Sequence, residues 1–384
     1  MGRGVSIAQV AARAGVGVGT VSRVLNGHAR VSDTTRERVL QIMAELDYRP
    51  SRLASGLSRG RTGSVTVLVP FVTRPSVVAR LAGTLSVLTA ESIDSVVCDI
   101  ENAEQLDRRM QSLMQRHSAD GVVVVSLPVS SGYVQRLARM HIPLVAVDAD
   151  IPTVPRVVVD DVAGGRVATE HLIGLGHTRI GFIGDERTAG LAFVSTPRRL
   201  SGYRRALAAA GIAADPALVR RGPHGAEPAA IMAAQLMALS DPPTAIFAAS
   251  DTQAMGVLRA AEQLGVDVPD GLSVIGFDDI EAADMLGLST VRQPLKESGA
   301  KGARVLCSLL AGGRPPARRE ILPLEVVPRT STARLRRERA PTAAGVRPTQ
   351  RTQAHPISRK QSSQWHQRPS GTRARRRGGG VPRS

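Results

Sequence analysis

From Val65 to Phe277 the chain repeats one pattern, a short apolar run followed by a stretch long enough for a helix. Val65–Val69, Ser95–Asp99, Gly121–Val125, Leu144–Asp148, Arg179–Ile183, Ala245–Ala248 and Ser273–Phe277 read as strands, because each run is brief and rich in β-branched or apolar residues. Strands that alternate with helices at this spacing form βα units, and successive βα units build parallel sheets covered by helices. A series this long predicts two α/β lobes. Ligands of such folds bind near the carboxyl ends of the strands, in the cleft.

The full chain of 384 residues is long enough for two or three domains with separate cores. Its net charge of +17 is unevenly spread. Residues 1–60 hold 9 Lys and Arg against 4 Asp and Glu, residues 335–384 hold 13 against 1, and the stretch between holds 28 of each. A basic head and tail around a neutral middle imply that a polyanion meets the ends. Cys98 and Cys307 are too few and too far apart for a disulfide framework, and neither has the neighbours of a metal site. No apolar run approaches the roughly 20 residues of a membrane span, and the N-terminus lacks a signal-peptide core. A cytoplasmic protein without membrane contact is expected.

The head reads as helix, turn, helix. Ser6 with Gln9 fits a capping box for a helix that runs to Ala14 and stops at Gly15. A second helix follows from Val18 to Asn26. Val21, Val24 and Leu25 share one of its faces, while Val18, Gly19, Ser22, Arg23 and Asn26 occupy the other. A third helix capped by Ser32 repeats Val39, Ile42, Met43 and Leu46 at helical spacing and closes a small core.

The strings Val5-Ser6-Ile7-Ala8-Gln9-Val10-Ala11, Ala14-Gly15-Val16, Thr20-Val21-Ser22-Arg23-Val24-Leu25-Asn26 and Ala44-Glu45-Leu46-Asp47-Tyr48-Arg49-Pro50 resemble the headpiece of the LacI/GalR family of bacterial regulators. The resemblance implies double-stranded DNA, a palindromic operator, as partner. It places Val18, Gly19 and Arg23 against base edges in the major groove, with Arg23 suited to a bidentate contact to guanine. It assigns Ser6, Ser22, Asn26, Ser32, Thr35 and Tyr48 to the phosphate backbone. Gly17 departs from the family, which usually has serine there; glycine still caps a helix but brings no hydroxyl.

Four segments are expected: a helix-turn-helix headpiece over 1–50, a hinge helix or linker over 51–62, an effector-binding and dimerisation domain over 63–334, and a disordered basic tail over 335–384. The linker is too short to be a stable helix in water. By resemblance it folds when paired with the linker of a second copy on DNA, and Leu57 wedges into the minor groove. Gly56 weakens that helix. The tail lacks aliphatic clusters and cannot bury a core.

The resemblance continues through His171–His177, Ile180–Gly184, Arg199–Tyr203, Ala248–Asp251, Ser273–Asp279 and Thr290–Pro294, which look like the periplasmic-binding-protein-like core of these regulators. Carried over residue by residue, Asp148, Arg199, Ser250, Asp278 and Gln293 line the effector cleft. Arginine and carboxylates facing one pocket suit hydroxyl-rich or anionic metabolites such as sugars. The segment Pro70–Val77 lacks the asparagine and aromatic pair usual in the family, so the ring-stacking wall of the pocket is not expected there.

No enzyme is expected. There is no Walker loop, nucleophile elbow or dinucleotide fingerprint. Glu170, His171 and His177 do not share a helix face, and Asp160-Asp161 opens a helix, where the dipole favours acids. Neither metal nor cofactor is implied. A solute-binding or sugar-processing protein on similar lobes is the alternative, opposed by the headpiece. The expected protein is a homodimeric transcriptional repressor controlled by a small metabolite.

Overall fold

A computed structural model describes residues 5–25, 30–48, 62–116, 118–186, 190–191, 193–314 and 317–336. Asn26, Leu57, the rest of the linker before Thr62 and residues 337–384 lie outside the described residues.

Three helices form the head: α1 (Ile7–Ala14), α2 (Val18–Leu25) and α3 (Asp33–Glu45). The Ser6 backbone amide donates to Gln9 Oε1 at 2.7 Å, and the Gln9 amide donates back to Ser6 Oγ at 3.4 Å. Gly15 ends α1 at φ 65°, a conformation that glycine adopts without steric cost. Arg38 on α3 donates through Nε to the Ala14 carbonyl at 2.9 Å, tying the exposed end of α1 to the third helix. Val10, Ala14, Val21, Val24 and Val39 are buried between the helices. Each buried valine contributes roughly 1.5–3 kcal/mol, so even this small core holds α1 and α2 at a fixed angle.

The remainder forms two α/β lobes. In chain order the elements are β1 (Ser64–Pro70), α4 (Pro75–Ala90), β2 (Asp94–Ile100), α5 (Ala103–Arg116), β3 (Gly121–Val125), α6 (Ser131–Arg139), β4 (Leu144–Val147) and β5 (Arg156–Val159). Then come α7 (Asp161–Gly174), β6 (Ile180–Asp185), α8 (Ser195–Ala209), β7 (Val219–Gly222), α9 (Ala226–Met237), β8 (Ala245–Ala248), α10 (Asp251–Gln263) and β9 (Ser273–Asp278). The last are α11 (Glu281–Met285), β10 (Ser289–Arg292), α12 (Leu295–Leu310), β11 (Arg319–Leu322) and β12 (Glu325–Val327). The first sheet runs β11-β5-β4-β3-β1-β2 and is wholly parallel. The second runs β12-β10-β9-β8-β6-β7, with β12 alone antiparallel.

All seven strands read from the sequence are present, with no end shifted by more than two residues. Their alternation sorts the core into two layers. Val65, Val67, Val69, Val123, Val125, Val145 and Val147 face Ala303 and Leu306 of α12, while Leu68, Val122, Val124 and Ala146 face Leu106, Met110 and Leu137 of α5 and α6. In the second lobe Phe182, Tyr203, Phe247 and Phe277 share one cluster. The chain passes between the lobes three times, at β5 to α7, at β10 to α12 and at β11 to β12. No described helix is long and apolar enough to cross a membrane.

Two helix crossings are close enough to require glycine. A Cβ on Gly83 of α4 would lie 1.9 Å from the Lys296 carbonyl oxygen, and one on Gly299 of α12 would lie 1.9 Å from that of Arg80. Across α7 and α8, a Cβ on Gly165 would sit 2.1 Å from the Arg199 carbonyl oxygen. Arg80 and Arg199 therefore stand on helices whose backbones touch their neighbours, which fixes where their side chains enter the cleft.

Candidate functional site

The parallel strands of both sheets end on the cleft side, and several of those ends turn abruptly. Ser126, Asp148, Asp278 and Asp279 have φ of 51°, 54°, 121° and 58°, values unusual outside glycine. Strain of this kind is held where surrounding contacts over-determine it. Here the contacts are a buried network of charge.

Arg80 of α4 places Nη2 3.0 Å from Asp148 Oδ2 and donates from the same nitrogen to Gln293 Oε1 at 2.8 Å. Gln293 donates onward to Asp278 Oδ1. Asp278 lies 3.8 Å from Arg199 Nη1, and Arg199 donates through Nε to Asp161 Oδ1 at 2.8 Å and through Nη1 to the Ala249 carbonyl. The Arg199 guanidinium also covers the Phe277 ring at 3.7 Å. Burial pushes the carboxyls of Asp161 and Asp278 up, and the neighbouring arginines pull them down less strongly. Burial and the charge of Asp278 push Asp251 up to about 8, although Thr290 Oγ1 and the Ile280 amide both donate to it. Carboxylates outweigh guanidiniums in this network, which suits ligand hydroxyl donors.

Four of the five effector residues expected from sequence, Asp148, Arg199, Asp278 and Gln293, are thus joined in one network. Ser250 is not. Its hydroxyl caps α10, accepting from the Gln253 amide at 3.3 Å and donating to Gln253 Oε1 at 3.2 Å. Gln253 in turn donates to Asp185 Oδ1 at 2.8 Å, and His224 Nδ1 lies 3.0 Å from the same oxygen, forming a second polar cluster at the end of β6.

Arg80 is the residue that sequence reasoning missed. It stands in line with Val77, Thr84 and Leu88 on the buried stripe of α4, and a charge on an apolar stripe was the available signal. Two aromatic rings do meet near the cleft. Phe71 and Phe193, one from each lobe, approach to 6.2 Å between ring centroids, with the Arg74 guanidinium 4.1 Å over Phe71. A cavity of about 420 Å³ opens beside them, lined by Ser126, Leu127, Asp148, Asp161, Phe193 and Arg198 among others. Among the described residues, no three His, Cys, Asp or Glu side chains cluster so as to hold a metal ion.

On the head, Gly17, Val18, Gly19 and Arg23 are exposed along one face of α2, opposite buried Val21 and Val24. Ser6 and Ser32 are exposed caps of α1 and α3. Ser32 Oγ accepts from the Thr35 amide at 3.4 Å and pairs with Thr35 Oγ1 at 2.8 Å. Ser22 and Tyr48 are half-buried, and Tyr48 packs on the headpiece core.

A helix-turn-helix head joined to a two-lobed α/β domain with a charged cleft defines a transcriptional regulator with a built-in sensor. Residues 6–51 match the family model of bacterial regulatory proteins, lacI family, and residues 169–332 match that of the periplasmic binding protein-like domain. The HTH-type transcriptional regulator DegA of Bacillus subtilis strain 168 is 34% identical over 339 residues, which span 86% of this chain and 98% of DegA. The structure of the Lac repressor dimer bound to operator and the anti-inducer ONPF is 27% identical, covers 86% of this chain and all of its own, and superposes with a TM-score of 0.76. That of the transcriptional regulator CelR–cellobiose complex is 31% identical, covers 85% of this chain and 99% of its own, with a TM-score of 0.62. The chain belongs to the LacI family of bacterial regulatory proteins.

Proposed function

We propose that this regulator is a repressor that binds a palindromic operator as a homodimer and changes its grip when a small, hydroxyl-rich metabolite occupies the cleft. The observation that carries the reading is the division of α2: Val21 and Val24 hold it to the head, and Val18, Gly19 and Arg23 stand free on the face turned away. In a major groove, Arg23 reads guanine and Val18 meets a thymine methyl. Ser6, Gly17, Ser22, Asn26, Ser32, Thr35 and Tyr48 set register on the phosphates, and Leu57 enters the minor groove.

In the cleft, Asp148, Asp278, Gln293 and Arg199 supply paired acceptors and donors for ligand hydroxyls, with Asp161 and Arg80 beside them and Ser250 at the rim. A relative solved with cellobiose and one with ONPF fit a ligand of this class. Exposed Val78, Val96 and Val97 on the first lobe, and Leu264 and Leu286 on the second, offer apolar faces to a second copy. Because Asp161, Arg292–Gln293 and Leu322 lie at the three lobe crossings, ligand contacts there bias the angle between lobes.

Footprinting on palindromic DNA, with and without a panel of sugars and sugar acids, tests the reading. Protection of a two-fold symmetric site, lost on Arg23→Ala and shifted by at least one compound, is expected. Absence of any protected palindrome would sink it.

A further inference from the structure

The strands of the first lobe begin on the edge opposite the cleft, and that edge carries a second concavity. It measures about 650 Å³, within the ~300–1,000 Å³ usual for small-molecule sites. Its floor is hydrocarbon from Val134 and Ala138 of α6, Ile142, Val154, Pro155 and Leu309 of α12. Its rim carries two guanidiniums, Arg314 and Arg318, on the connection from α12 to β11, and His141, turned outward after α6 at φ 59°, lines the same space.

All three rim side chains are exposed, and none has a carboxylate partner among the described residues. The nearby acid Glu320 is held by Lys301. This differs from the cleft, where Arg80, Arg198 and Arg199 are each paired with an aspartate. Unpaired guanidiniums above an apolar floor fit one ligand chemistry: a compact hydrocarbon body that fills the floor, carrying a carboxylate that the arginines meet with charge-assisted hydrogen bonds. A nucleic-acid backbone would use the cations but leave the floor empty, and a sugar would do the reverse of what the floor requires.

We propose that this groove is a second ligand site, separate from the cleft, for a small amphipathic carboxylate. It lies on the edge where the chain enters the lobe: Asp120, just before β3, accepts from the amides of Thr62 at 2.6 Å and Gly63 at 2.8 Å. A ligand bound there sits at the sheet edge that receives the linker.

The test is calorimetric titration of the full chain with 1-naphthoate, and with 1-naphthalenemethanol as its uncharged counterpart. One naphthoate per chain is expected, with at least tenfold weaker binding for the alcohol. Binding should weaken at least tenfold in the Arg314→Ala/Arg318→Ala double variant and disappear in Ala138→Trp, which fills the floor from an exposed position. Asp278→Asn, in the cleft, should leave it unchanged. No naphthoate binding, equal binding by all four proteins, or loss in Asp278→Asn alone would each overturn the proposal.

Discussion

Arg80 Nη2 stands 3.0 Å from Asp148 Oδ2 with the two side chains 4% and 15% exposed, a largely buried ion pair at the cleft. Removing one partner of such a pair leaves an uncompensated charge in a poorly solvated place. Arg80→Ala should lower unfolding stability by about 3–5 kcal/mol in urea denaturation. Arg80→Leu combined with Asp148→Asn, a residue that tolerates the φ of 54° at that position, should recover part of that loss. Strictly additive single losses in the double-mutant cycle would show that the pair is not coupled.

Two glycines on neighbouring helices should respond with opposite signs. On Gly202 of α8 a Cβ would lie 2.1 Å from the Val162 carbonyl oxygen, so Gly202→Ala must part α7 from α8 and should cost at least about 1–3 kcal/mol. Gly174, at the end of α7, has nothing within 4 Å of such an atom. Gly174→Ala should be neutral or stabilise by up to about 1 kcal/mol. Melting curves of both variants decide the matter, and equal destabilisation would refute the close helix crossing.

The reading face of α2 gives a pair of affinity predictions. Arg23→Ala should weaken operator binding about 10–100-fold if it reads a guanine bidentately, and should relax selectivity at that base. Gly17→Ser adds a hydroxyl where a Cβ meets nothing within 4 Å. It should tighten binding about 2–10-fold through one added phosphate hydrogen bond. Gel shifts with the footprinted operator measure both, and a Gly17→Ser variant no tighter than the parent would remove the phosphate role from that position.

His177 is buried and bonded to Thr244 Oγ1 at 2.9 Å, Ser273 Oγ at 3.1 Å and the Ala333 carbonyl at 3.1 Å, so it pins the end of the described chain to the second lobe. Burial pushes its ring, and that of His171, below the usual histidine range. A histidine kept neutral by folding contributes its full stability above the unfolded value near 6.5, and loses it as pH falls below 6.5 through the folded values. The raised carboxyls of Asp161, Asp251 and Asp278 act in the opposite sense, so the His177 contribution is read by difference: the gap in urea midpoint between the parent and His177→Asn should shrink between pH 7 and pH 5. A gap independent of pH over that range would contradict the assignment.

Local pattern made much of this protein legible in advance. The capping box of Ser6 and Gln9, the stop at Gly15 and the face division of α2 are decided within a few residues, so spacing alone revealed them. The seven apolar strands were visible for the same reason. The strands that escaped notice, β5, β7, β10, β11 and β12, are short and carry Arg156, Arg220, Arg221, Arg292, Arg319, Glu320 or Glu325, because they lie beside a sheet edge or a lobe crossing where solvent can reach one face.

The site divides in the same way. Asp148, Arg199, Asp278 and Gln293 were carried over from the family resemblance, but nothing local says that they meet, since residues 148 and 293 come together only when the chain recrosses between lobes. Ser250, named with them, spends its hydroxyl on a helix cap instead. Arg80 entered the network through a helix crossing set by Gly83 and Gly299, more than 200 residues apart in sequence. The sequence alone determined the headpiece helices, the exposed face of the second and the α/β class, because hydrogen bonds and periodicity of neighbouring residues decide those. Tertiary structure alone decided which charges are paired, because burial and distance between remote segments determine whether a guanidinium meets a carboxylate or water.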